Sequence, residues 1–171
     1  MMNTSQEDAM PRSFREKVAW ISLSTTLVLY VPFFVFAWRW LAVLGPETTV
    51  GGIVTLHLML LPVVILQVLL IGLGLAAFWL TGQRASQERA DERDWAIDAR
   101  ATRAAYLSLI VLAGVGFYTL LPFMLSGNAS LGLSTAVMFS PTSLLLLGFM
   151  AFVTAEVVRF SVQAIGYRRG F

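Results

Sequence analysis

Very few side chains in this 171-residue sequence could carry out acid–base, nucleophilic or metal chemistry. Cysteine is absent and His57 is the only histidine. The chain alone can therefore form no disulfide, no thiolate site and no two-histidine metal site. His57 could ligate a haem or pigment, respond to pH, or bond to a neighbouring carbonyl group. Serine-type catalysis would need an acid beside this histidine, and none shares its apolar segment, so we assign no catalytic residue and expect no enzyme.

Five of the ten Asp and Glu residues lie in one polar segment, residues 81–103. Drawn as a helix, one side of this segment holds the residues that we predict to bind a protein partner: Asp91, Asp94, Trp95 and Asp98. The other side holds the residues that we predict to contact anionic lipid head groups: Arg89, Arg93, Arg100 and Arg103. Such segregation leaves two interpretations open, a solvated connector helix and a docking surface for a basic cytoplasmic partner. A straight helix cannot surround an ion, so we expect no metal and no other cofactor here.

Three polar side chains fall inside apolar stretches: Tyr30, Gln67 and Tyr118. In hydrocarbon each needs a hydrogen-bonding partner, and a bond between helices contributes about 0.6–2 kcal/mol. These residues either fix how the helices pack or line a polar pocket.

The elements that must position these residues are membrane helices. The sequence is 57% hydrophobic and 13% charged, whereas soluble domains are about 45–50% apolar and about 25% charged. This composition excludes a soluble enzyme, a charge-driven nucleic-acid binder and a disordered regulator. Spanning the bilayer takes about 20 apolar residues in a helix. Four stretches qualify and predict an all-α, four-helix transmembrane bundle: residues 18–41, 52–80, 104–125 and 132–158.

The basic residues predict the orientation of the bundle. Of the 12 Lys and Arg residues, all but Arg39 lie in or beside the leader 1–17, the loop 81–103 and the tail 159–171. Because basic segments stay in the cytoplasm, both termini and the middle loop are expected there. The chain is then a multi-pass protein of the bacterial inner membrane, with the lipid bilayer as its first partner.

The first and third spans start alike. Residues 17–23 read KVAWISL and residues 103–109 read RAAYLSL, and both spans then carry a Pro-Phe pair. This similarity predicts two repeated helical hairpins related by a pseudo-twofold axis along the membrane normal. The alternative is chance similarity between apolar sequences. Small residues in the later spans would also allow a homodimer.

Part of the loop resembles a known group of proteins. The run Asp91-Glu92-Arg93-Asp94, with Ile97, Arg100, Arg103 and Tyr106, is similar to the loop motif of a family of uncharacterised bacterial four-span membrane proteins. The closing residues 167–170 fit the end of that group. Its members are often encoded beside small helix-turn-helix regulators, so the resemblance implies a membrane-bound modulator. It implies no activity and no functional residue.

Three functions remain open from the sequence. The first is a regulator or adaptor that docks a cytoplasmic protein through the charged middle loop. The second is an accessory subunit of a larger membrane complex that contains a pigment or haem, with His57 near the cofactor. The third is a small dimeric transporter or channel, with Tyr30 and Gln67 along its path.

Overall fold

A computed structural model of the protein describes residues 14–44, 50–80, 91–125 and 141–169. These residues form four helices and no strand: α1 (Phe14–Leu44), α2 (Val50–Leu80), α3 (Glu92–Leu125) and α4 (Pro141–Arg169). The prediction of an all-α protein with four long helices is confirmed. Three predicted features lie partly outside the described residues: the leader, the loop around Arg89, and the start of the fourth span.

Three of the helices are long and apolar enough to cross a membrane, over Phe14–Val43, Gly51–Leu80 and Thr142–Arg169. The helix α3 differs because it joins a polar start to an apolar end without a break. Its 34 residues span about 50 Å at 1.5 Å per residue. This exceeds the hydrocarbon thickness of about 30 Å, so the predicted third span would leave the first turns of α3 outside the membrane.

The helix α4 lies at the centre of the arrangement. It packs along α3 on one side and along α1 on the other, and α1 packs in turn against α2. The pairs α1–α2 and α3–α4 are the two hairpins that a repeat requires. A twofold axis would also place α2 against α3, and this is not among the main helix contacts of the described residues. The doubled hairpin therefore stays a prediction.

The buried side of α1 explains how the centre of the bundle forms. Apart from Ser22, which is also buried, its buried residues recur every three or four positions, which makes a continuous seam along one side of a helix: Glu16, Ala19, Leu23, Thr26, Tyr30, Phe33, Ala37 and Leu41. From α4, Leu146 and Val153 complete the same core. Phe149 adds its ring to this core, with centroids 5.7 Å from Tyr30 and 6.2 Å from Phe33.

In contrast, α2 is mostly exposed. Leu56 is its one buried residue among those described. No residue in the most apolar stretch of α2 is buried. Lipid tails solvate such a surface as well as leucine side chains do. The outer faces of α2 therefore contact lipid or another membrane protein.

Candidate interaction site at the start of the third helix

The start of α3 is fixed by a reciprocal cap. The carboxylate Oδ1 of Asp91 accepts a hydrogen bond of 2.9 Å from the backbone N–H of Asp94. The Oδ2 atom of Asp94 accepts one of 3.2 Å from the N–H of Asp91. Two N–H groups that have no partner within the helix are satisfied in this way. The acidic sequence thus defines where α3 begins.

Polar contacts join the start of α3 to the start of α1 and to the last turns of α4. Arg15 Nε lies 3.4 Å from Asp94 Oδ2. One helical turn further along α3, Asp98 Oδ1 accepts a hydrogen bond of 2.9 Å from Gln163 Nε2. We call the set the terminal polar cluster: Arg15, Asp94, Asp98, Gln163 and Tyr167. It connects three helices just outside the predicted apolar spans.

Arg15 and Tyr167 form a hydrogen bond within this cluster, and each affects the pKa of the other. Burial raises the pKa of Tyr167, and the charges of Asp98 and Asp94 add to this effect, while the hydrogen bond from Arg15 opposes it. Burial lowers the pKa of Arg15, but the bond to Tyr167 and the charge of Asp94 outweigh it, so the net shift is upward. Tyr167 and Arg15 therefore both keep their protons at neutral pH.

Trp95 lies about 100° around α3 from Asp94 and is 70% exposed. Nine helical residues separate it from the predicted start of the third span at residue 104, a distance of about 13 Å. The head-group layer adds only about 5–8 Å to each side of the hydrocarbon. If the third span starts as predicted, we expect the indole ring to lie beyond the head groups, unlike the aromatic residues of an interfacial belt.

Three of the arginines predicted to contact head groups are described, and all are exposed: Arg93, Arg100 and Arg103. Arg93 donates from Nη2 to the carbonyl oxygen of Tyr167 at 3.4 Å. A cation is favourable at that position because helix C-termini carry partial negative charge. Contact between these arginines and head groups stays a prediction, and Arg89 lies outside the described residues.

The four residues predicted to bind a partner therefore differ in their surroundings. Asp94 and Asp98 contact the other helices of the same chain, and Asp91 caps α3. Only Trp95 points away from the bundle as a large apolar group. Sequence reasoning missed three residues of the terminal polar cluster: Arg15, Gln163 and Tyr167. These three residues lie just outside the predicted apolar spans, and that position was the one feature of the sequence that could have identified them.

The polar residues inside the membrane bind one another. Tyr30 donates to Gln67 Oε1 at 2.7 Å. Gln67 Nε2 donates to Thr26 Oγ1 at 3.1 Å. The amide of Gln67 on α2 thus uses both of its ends on α1, which fixes the register of these two helices. The side chain of Tyr118 lies outside the described part of the structure.

Replacing Gln67 with leucine is expected to lower the free energy of unfolding by about 0.6–2 kcal/mol, because both hydrogen bonds between α1 and α2 are lost. Titration with SDS in mixed micelles measures this change. Thr154→Val is the matched control, since the hydroxyl of Thr154 bonds only to its own helix at the carbonyl of Met150. Equal effects of the two substitutions would contradict the assigned role of Gln67.

His57 lies on the exposed surface of α2. Its Nδ1 atom is 2.8 Å from the carbonyl oxygen of Ile53, one turn earlier in the same helix. A hydrogen bond donated from Nδ1 to this carbonyl oxygen satisfies one ring nitrogen of His57 within its own helix. Within the described ranges, no group of three or more His, Cys, Asp or Glu residues could hold a metal ion. Cofactor binding at His57 stays a prediction that needs a second molecule against α2.

No family model, curated protein or solved structure matches this chain. The resemblance to bacterial four-span proteins therefore stays a prediction. The function has to be argued from the site itself.

Proposed function

We propose that this chain is a non-enzymatic protein of the bacterial cytoplasmic membrane that docks a cytoplasmic protein and acts as a regulator or adaptor. The docking surface is the outward side of the first turns of α3. The observation that carries the proposal is Trp95, which is 70% exposed on a helix that is fixed at its start. Tryptophan is among the residues that contribute most to binding energy at protein interfaces.

The rigidity of this surface supports docking. The cap at Asp91 and the terminal polar cluster hold the first turns of α3 against α1 and α4. A preorganised surface loses less conformational entropy when a partner binds. A solvated connector helix needs no such contacts at its end.

The charge around Trp95 indicates the chemistry of the partner. Asp91 and Glu92 are exposed nearby, whereas Asp94 and Asp98 are engaged within the chain. The surface fits a partner with an apolar pocket for the indole ring and basic side chains around that pocket. This matches the basic partner predicted from the sequence, but with Trp95 as its centre.

Cysteine labelling tests this proposal directly, because the natural chain has no cysteine. Glu92→Cys places one thiol three residues from Trp95 and leaves the indole in place. In inverted membrane vesicles, a membrane-impermeant maleimide is expected to label this thiol weakly. After a urea wash that strips peripheral proteins, labelling is expected to rise severalfold. Combining Glu92→Cys with Trp95→Ala is expected to give strong labelling before the wash.

Arg168→Cys is the matched control, since Arg168 is exposed at the end of α4. It should label equally before and after the wash. Unchanged labelling of Glu92→Cys on stripping would overturn the docking surface. Labelling of either thiol from the outer side of intact spheroplasts would overturn the orientation.

One observation favours a second candidate, an accessory subunit of a larger membrane complex. The exposed surface of α2 includes Gly72, around which an added Cβ would meet no atom within 4 Å. A small residue on an open helix face allows another helix to approach closely. An absorption spectrum of the purified protein that changes with His57→Ala would favour this candidate. The transporter alternative has less support, because Tyr30 and Gln67 bind each other and Tyr30 is buried.

A further inference from the structure

A groove lies between α2 and α4, close to where both helices begin. It is lined by Phe33 of α1, by Leu56, His57 and Leu60 of α2, and by Phe149 with two leucines of α4. It contains about 210 Å³ of empty space, which includes space open to the surroundings. A molecule in the groove would therefore keep one side against lipid. His57 is the one polar residue in this lining.

The hydrogen bond within α2 indicates which ring nitrogen of His57 carries the proton. Nδ1 lies 2.8 Å from the carbonyl oxygen of Ile53. A carbonyl oxygen can only accept a hydrogen bond, so Nδ1 donates it. In the neutral ring the other nitrogen, Nε2, then has a lone pair and no proton. Within the part of the chain that the structure describes, no group donates a hydrogen bond to Nε2.

The depth of His57 determines what can fill this role. The second span is predicted to start at residue 52, five residues before His57. We therefore expect the Cα atom of His57 to lie about 8 Å inside the hydrocarbon. Lipid tails offer no donor to the Nε2 lone pair. A lipid-soluble molecule with a hydroxyl group would gain a hydrogen bond in the groove that it lacks elsewhere in the bilayer core.

Two phenylalanine rings in the groove favour an aromatic ligand. Phe33 and Phe149 have ring centroids 6.2 Å apart and planes at 90°. Aromatic rings prefer such edge-to-face arrangements, which are favourable beyond the contact area alone. A third ring beside these two would extend the same arrangement. The lining thus fits a ring that carries a hydroxyl group better than it fits an aliphatic alcohol.

We infer that this groove binds a lipid-soluble quinol. One ring hydroxyl donates to Nε2 of His57, the ring contacts Phe33 and Phe149, and the alkyl tail lies along Leu60. The corresponding quinone has carbonyl oxygens in place of the hydroxyls, so it cannot donate and binds more weakly. The groove and Trp95 lie toward opposite ends of the helices. The site therefore goes beyond partner docking and does not depend on it.

Nitrogen NMR of the full-length protein tests the inference, because His57 is the only histidine. Protein that carries ¹⁵N-labelled histidine and a tag without histidine gives ring signals from His57 alone. In the free protein, Nδ1 should be protonated and Nε2 unprotonated. Anaerobic titration with decylubiquinol in nanodiscs is expected to shift the Nε2 signal until it saturates. Decylubiquinone is expected to bind about 3- to 30-fold more weakly, the ratio for one hydrogen bond between groups in hydrocarbon.

Two variants make the test specific. Combining His57→Leu with Leu58→His moves the imidazole about 100° around α2, to a residue that is 64% exposed and does not line the groove. Its ring signals should show no saturable shift. Leu60→Trp fills the groove and should weaken quinol binding, while the ring signals of His57 in the free protein stay unchanged.

Several results would overturn the site. A proton on Nε2 in the free protein would remove the acceptor. Equal affinity for the quinol and the quinone would show that the hydroxyl is not recognised, and equal affinity for dioctanoylglycerol would show that the ring is not. A saturable shift of the same size in the exchanged variant, or haem or pigment already bound to His57 in the purified protein, would also contradict the inference.

Discussion

Replacing Phe149 with alanine is expected to destabilise the protein by roughly 2–4 kcal/mol, the largest loss from any single substitution considered for this chain. The ring of Phe149 on α4 packs against three rings of α1, with centroids 5.7, 6.2 and 5.7 Å from Tyr30, Phe33 and Phe34. Each aromatic pair contributes about 0.5–1.5 kcal/mol beyond its contact area. The alanine variant loses all three pairs at the interface that holds the two central helices together.

Phe152→Ala provides the matched control for this prediction. Phe152 follows Phe149 by three residues on α4, but it is 55% exposed. Lipid replaces most of its contacts when it is truncated, so the expected change is below about 0.5 kcal/mol. Unfolding in SDS mixed micelles compares the two variants under identical conditions. A loss for Phe149→Ala no larger than for Phe152→Ala would show that the aromatic cluster does not join α1 to α4.

The helices could be predicted from the sequence because hydrocarbon leaves the backbone no alternative. The position of each helix in the bundle was harder to predict. Of the three apolar helices, α2 has the highest mean hydropathy and is the most exposed. The central helices carry polar side chains that need partners inside the bundle, such as Thr26 and Ser143, which are both buried. In a membrane the most apolar helix therefore tends to lie outside, so composition could have placed α2 at the edge.

The candidate site could be predicted only in part, because the sequence does not show which helices pack together. Helical spacing shows which residues share a side of α3, and it grouped Asp94 with Asp98. It does not show which helix lies opposite that side. The partners are Arg15, 79 positions before Asp94, and Gln163, 65 positions after Asp98. Such pairing depends on the packing of whole helices, so the spacing along α3 could not show that Asp94 and Asp98 contact α1 and α4.

Enlarging Gly166 to leucine is expected to destabilise the protein by about 1–3 kcal/mol, the usual cost of overpacking. A Cβ at this position would lie 3.0 Å from Ile97 Cγ2 and 3.3 Å from Ile97 Cγ1. Ile97 is only 2% exposed, so its side chain has little room to move. The ends of α3 and α4 must therefore separate, which also strains the bond between Asp98 and Gln163.

Gly148→Leu on the same helix separates this steric effect from the general effect of replacing a glycine. An added Cβ at Gly148 meets no atom within 4 Å, and losing a helical glycine stabilises by up to about 1 kcal/mol. The two leucine variants should thus shift the unfolding free energy in opposite directions. Adding Ile97→Ala to Gly166→Leu removes the obstructing side chain and should recover part of the loss, which a double-mutant cycle measures. Strictly additive effects of these two substitutions would mean that Gly166 and Ile97 do not limit how closely α3 and α4 approach.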